Sequence, residues 1–337
     1  MSYYRSMADL YTRLAACGLD RKFVQATALP GDWHDERANT AEERARAETF
    51  IEQALGIPAD TLANHKQAIE LATPRLAQVR PQEALNASFH TSIWLASRTA
   101  ELAAQAQKHA RSPWLQGLAA EELREHLIGT YRVVRLSTLL DCCWGLGVPV
   151  IRITRPPGRN SVLDVIALQV DSRPFIAVSS RHTASAWELW HIAHALGHIA
   201  HGHLEQGACA DIRFLSRQSS PEEAEAQRFA DTLVHGDPVP TLKAPDRITG
   251  VKLARLAQAV SRQHGVEVGS IVTRFALTKA LGGRDARGPA NRALRCLGIE
   301  DGGPQLTVNA MAQHLTLSQL NEGGRRFLCR VTGWEPD

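Results

Sequence analysis

The stretch "WHIAHALGHIAHGH", residues 190–203, sets five histidines in one apolar segment. Residues four apart on an α-helix share a face, about 6 Å apart along the axis, so His194 and His198 can present two imidazoles to one tetrahedral zinc. Catalytic zinc sites take three protein ligands and leave a fourth position to water. In helices reading H-E-x-x-H, the glutamate after the first histidine takes a proton from that water. Here that position is Ala195. His191, His201 and His203 read as helix-flank or helix-end residues, where a last-turn histidine also suits the helix dipole.

The surroundings of this helix set the fold class. Upstream, "VPVIRIT", "LDVIALQV" and "RPFIAVS" are short, β-branched and separated by turn-formers, which predicts a small sheet over 148–180. The histidine helix is expected over 184–201, with Gly202 placed to end it. Downstream, Ser220-Pro221-Glu222-Glu223 combines an N-cap serine, a first-turn proline and a glutamate three past the cap. The helix it opens, "EEAEAQRFADTLV", carries three glutamates 24, 25 and 27 residues after His198, any of which can complete a His-His-Glu set. Glu222 and Glu223 read as a solvated first turn. Glu225, four before Phe229 and eight before Leu233, reads as inward-facing, and a carboxylate on a buried face wants a cation.

The flanks read as helical. Thr40 to Glu43 forms a capping box ahead of an amphipathic run that ends at Gly56, and leucine and alanine recur at helical spacing over 85–110 and 118–146. Residues 251–281 have helix-turn-helix spacing with Gly265 in the turn, and read as a packing hairpin rather than a DNA reader. The expected fold is therefore α+β, a mostly helical chain with a small sheet packed on the histidine helix and the glutamate helix. Its parts are a helical region over 1–146, a core over 147–245 that holds the sheet and both helices, and a helical region over 246–337.

Composition narrows the function classes. A net charge of +3 across 337 residues shows no clustered basic patch for nucleic acid or membrane surfaces. No apolar run approaches the roughly 18 residues of a membrane span, and "MSYYRSMADL" lacks a leader layout, so a cytoplasmic location is expected. Six scattered cysteines without a CxxC pair read as reduced thiols. Cys209 reads as a free thiol rather than a zinc ligand.

Taken together, the sheet, then "AWELWHIAHALGHIAHGHL", then "EAEAQRFADTLV" at 223–234 resemble the ImmA/IrrE family of zinc metallopeptidases. That family's helices read H-E-L-G-H and, approximately, E-x-E-A-N-x-F-A-x-E-L-L. The resemblance is specific over about 148–236 and matches the first motif at His194, Leu196, Gly197 and His198. It implies a Zn2+ site of His194, His198 and Glu225, and cleavage of a partner protein such as an Xre-type helix-turn-helix repressor. It also implies a general base at 195, which alanine cannot supply. Glu188, two turns earlier on the same helix, and Glu205, past its end, are no obvious substitutes. Loss of a general base costs about 10²–10⁴ in rate, so the chain as written is expected to be close to inactive. Ala195 fits either a deliberate substitution or a natural pseudoprotease acting as a non-enzymatic regulator.

Three further residues are candidates for substrate contact or for orienting a ligand. They are His182 ahead of the helix, Asp211 in the connector and Asp231 on the glutamate helix.

Overall fold

A computed structural model describes residues 7–77, 87–107, 115, 117–158, 163–211, 220–245, 247–281 and 284–336. Helices dominate, and a four-stranded mixed sheet makes the fold α+β, as expected. The N-terminal helices are α1 (Met7–Ala16), α2 (Arg21–Thr27), α3 (Ala41–Leu55), α4 (Ala59–Ala63), α5 (Ala87–Ala106), α6 (Ala120–Tyr131) and α7 (Leu136–Gly145). The sheet-bearing region holds β1 (Val150–Arg152), β2 (Val165–Val170), β3 (Arg173–Val178), α8 (Ser185–Ala200), β4 (Cys209–Asp211) and α9 (Pro221–His235). Then come α10 (Gly250–His264), α11 (Val268–Leu281), α12 (Arg287–Cys296), α13 (Gly303–His314) and α14 (Glu322–Thr332).

The local signals act as the chemistry requires. Thr40 accepts from the Glu43 N–H at the start of α3, and Gly56 takes the left-handed conformation that ends it. Ser220 Oγ accepts from the Glu223 N–H at 3.2 Å, with Pro221 in the first turn of α9. The hairpin expected over 251–281 forms as α10 and α11, with Gly265 left-handed between them. Among the described residues no helix is long and apolar enough to cross a membrane.

The strand order is β1-β3-β2-β4, with β1 parallel to β3 and both other pairings antiparallel. β4 was not legible in the sequence. It is three residues long, shows no alternation, and exists because Cys209–Asp211 pair with Val165–Ala167 of β2. Every residue of α8 from Ala186 to Ala200 is buried, against β2 and β3, α9, α11 and α13. Buried apolar residues of all three sequence regions join in one core; α14 at the C-terminal end packs on α3 near the start.

Candidate metal centre

α8 and α9 are the most closely packed pair of helices, and Gly197 is the reason. A Cβ there would lie 2.9 Å from both Cα and O of Ala226 and 3.1 Å from Cβ of Phe229. Backbone cannot yield as a flexible side chain can, so any other residue pushes the helices apart. Gly197→Ala is expected to cost about 1–3 kcal/mol through overpacking, outweighing the gain in helix propensity. The shift in urea midpoint measures it.

The close approach brings three donors to one point. His194 Nε2 lies 3.3 Å from His198 Nε2 and 3.3 Å from Glu223 Oε2, and His198 Nε2 lies 3.4 Å from Glu223 Oε1. Zinc–nitrogen bonds of 2.0–2.1 Å at tetrahedral angles put neighbouring ligands about 3.3 Å apart. The two contacts to Glu223 run to its two different carboxylate oxygens, and separations of this size place all three side chains within reach of one ion, so these residues form a candidate metal-binding group.

Protonation agrees with that role. Burial, aided by His194 and His203 nearby and opposed by Glu223, holds His198 below the ordinary histidine value, favouring the neutral imidazole that metals bind. Burial works to raise the Glu223 carboxyl, but hydrogen bonds and charge from both histidines outweigh it and keep the group ionised far below the usual range. Trp190 stacks on the His194 ring, centroids 4.8 Å apart and planes 14° off parallel, and fixes its rotamer.

The third member of this group is Glu223, in place of the expected Glu225. The buried stripe of α9 runs through Ala226, Phe229, Ala230 and Leu233. Glu223, three before Ala226 and seven before Ala230, continues that stripe. Glu225 stands on its flank, and its Oε2 meets His203 Nε2 at 3.1 Å. The stripe alone would exclude Glu225 but would not separate Glu223 from Glu222, which stands four before Ala226 and seven before Phe229.

His203 is the residue that sequence reasoning missed. It is buried on the short 3-10 turn after α8, and its Nδ1 lies 3.0 Å from His198 Nδ1. Only one set of protons satisfies the line. With His198 Nε2 free for a metal, its Nδ1–H donates to His203 Nδ1, and His203 Nε2–H donates to the Glu225 carboxylate. Glu225 thus bears on the site through two imidazoles.

The remaining candidates lie elsewhere. His182 stacks on Trp187 at 4.5 Å, and burial, with His191 nearby, pushes its pKa down to about 4. Asp231 lies 3.5 Å from His235 Nδ1 and 3.3 Å from Arg274 Nε, and is not in the metal-binding group. Asp211 pairs through its backbone with Val165, and its side chain lies outside the described residues. Ala195 is buried at 2% exposure. Glu188 faces nearly the same way, since seven residues return a helix to within about 20°. It is occupied: its Oε1 lies 3.0 Å from Arg152 Nη1, and Thr307 Oγ1 donates to its Oε2 at 2.7 Å.

Compared with protein-family models and with curated proteins, the chain gives no match.

Proposed function

We propose that the chain is a zinc-binding protein of metallopeptidase build, similar to the ImmA/IrrE enzymes, whose hydrolytic step is silenced at position 195. The observation that carries this reading is the cluster of His194, His198 and Glu223, whose imidazole Nε2 atoms lie 3.3 Å apart and each within 3.4 Å of one of the two Glu223 oxygens. Bound zinc would polarise a carbonyl and acidify a water in the fourth position. These residues would hold the metal with two imidazoles and one carboxylate, on helices in close contact at Gly197. Neither of the two positions on this helix that could supply a base is fit to receive the proton: Ala195 has no titratable group, and Glu188 is held by Arg152 and Thr307.

That double lack favours a second reading within the same fold, a non-enzymatic regulator that holds a partner polypeptide. The partner class we propose for both readings is a helix-turn-helix repressor, on the strength of the resemblance alone. Metal analysis of the purified chain tests the site: about one zinc per chain is expected, and none above background in His194→Ala. A wild-type chain without stoichiometric metal overturns both readings.

The line from Glu225 through His203 makes a milder prediction. Outer partners that fix a ligand's tautomer typically contribute about 10–100-fold in metal affinity. His203→Ala is expected to weaken zinc by that factor while stoichiometry at saturating zinc stays at one, as competition with a chromophoric chelator reads directly. His203→Gln, which keeps an acceptor toward His198, is expected to recover part of the loss.

A further inference from the structure

The sheet edge beside the metal centre is already occupied by the chain itself. Residues 75–77 run alongside the residues leading into β4 and form a parallel bridge, Leu76 opposite Ala208. The Ala208 N–H donates to the Arg75 carbonyl at 2.8 Å, and the Ala77 N–H donates to the Ala208 carbonyl at 3.0 Å. Gly207 permits the approach. Its φ is +137°, and a Cβ there would sit 2.6 Å from the Arg75 oxygen and 2.8 Å from the Ala77 nitrogen.

The same segment forms a wall of the site. Ala77, His198, His203, Cys209, Ala210, Glu222 and Glu223 line a narrow, partly open cavity of about 20 Å³. A cavity needs roughly 10–15 Å³ to hold one water, so this one admits a water or an ion and no peptide residue.

We propose that Arg75–Ala77 is a built-in strap that occupies a peptide-binding edge and closes the metal centre, and that a substrate or partner reaches the site by displacing it. The ligand class is an extended polypeptide that repeats the strap's backbone hydrogen bonds and carries a small side chain where Ala77 stands, since the cavity has no room for a large one. The strap is displaceable because it is held lightly. Among the described residues it makes two cross-strand hydrogen bonds, each shifting an equilibrium by about two- to tenfold net, and Leu76 is only partly buried. This inference deepens the metal-site reading and rests on it for what the strap covers; the pairing itself does not depend on metal.

The test uses the full chain in three forms. Wild type is the first. Ala77→Pro removes the N–H that donates to Ala208. Ala77→Cys places a thiol opposite Cys209, one position along the register of the Leu76–Ala208 bridge, where adjacent strands suit a disulfide. Two readouts are taken: the rate at which a chelator strips bound zinc, and the binding of a fluorescent peptide of residues 70–77 by anisotropy.

Ala77→Pro is expected to release zinc at least several-fold faster than wild type and to bind the peptide at least tenfold tighter. Oxidised Ala77→Cys, with the crosslink verified by mass spectrometry, is expected to release zinc at least tenfold more slowly than the same protein after phosphine reduction, and to bind no peptide. Equal zinc release from the locked and reduced forms, or equal peptide binding by all three, overturns the strap. If wild type holds no zinc, the metal reading fails by that measurement, and the peptide arm alone decides whether the edge is a strap site.

Discussion

Glu223→Gln is expected to abolish stoichiometric zinc binding, whereas Glu225→Gln is expected to leave one zinc per chain with weakened affinity. The two carboxylates lie two residues apart on one helix, so composition and net charge change identically and only position differs. Glu223 sits 3.3 and 3.4 Å from the two histidine nitrogens, and its carboxylate is the sole anion in the group. An amide there keeps the volume but offers a neutral oxygen, and two imidazoles hold zinc weakly without a third protein ligand. A loss on the order of 10²-fold or more is expected, beyond the roughly 10–100-fold that an outer partner contributes. Glu225 touches His203 and not the metal-binding group, so its amide loosens the orientation of His198 and stays within that smaller range. Isothermal titration of both variants with zinc measures the contrast. Equal losses would return Glu225 to the ligand set.

That contrast also marks where sequence reading ends. The helix termini were legible because a cap is a local matter: Ser220, Pro221 and Thr40 act on amides within three residues of themselves. The histidine pair was legible because helical pitch alone brings His194 to His198. Choosing among Glu222, Glu223 and Glu225 was a different problem. It depends on how α9 is rotated against α8, and Gly197 and Ala226 set that rotation by backbone contact. His203 was harder still, because its partners His198 and Glu225 are drawn in by a turn at Gly202 and by a second helix. β4 and its strap were beyond reach. Neither Cys209–Asp211 nor Arg75–Ala77 carries a pattern of its own, and each is defined by a neighbour distant in sequence: β4 by Val165–Ala167, and the strap by Ala208, more than a hundred residues away.

Ala195→Glu is expected to make folding depend on zinc and to confer hydrolysis that a chelator abolishes. Position 195 is 2% exposed, on a helix buried from Ala186 to Ala200. An ionised carboxylate placed there without a partner carries a penalty of several kcal/mol, and Arg152, which meets this helix at Glu188 two turns earlier, is already paired there. In the metal-free variant the melting temperature should therefore fall well below that of wild type. Zinc and its bound water would give the new carboxylate a cation and a proton donor, so metal should restore more stability in the variant than it adds to wild type. Binding at a hundred times Kd contributes about 2.7 kcal/mol by mass action, a floor for the recovery if the metal affinity of wild type is kept. The same carboxylate can receive the proton that Ala195 cannot, so cleavage of an unfolded protein substrate should rise by about 10²–10⁴, the usual worth of a general base. Adding Ala77→Pro should raise it again by loosening the strap. A zinc-loaded double variant that cleaves nothing, yet binds the peptide of residues 70–77, would favour the non-enzymatic regulator, because metal, base and access would all be present and chemistry would still be absent.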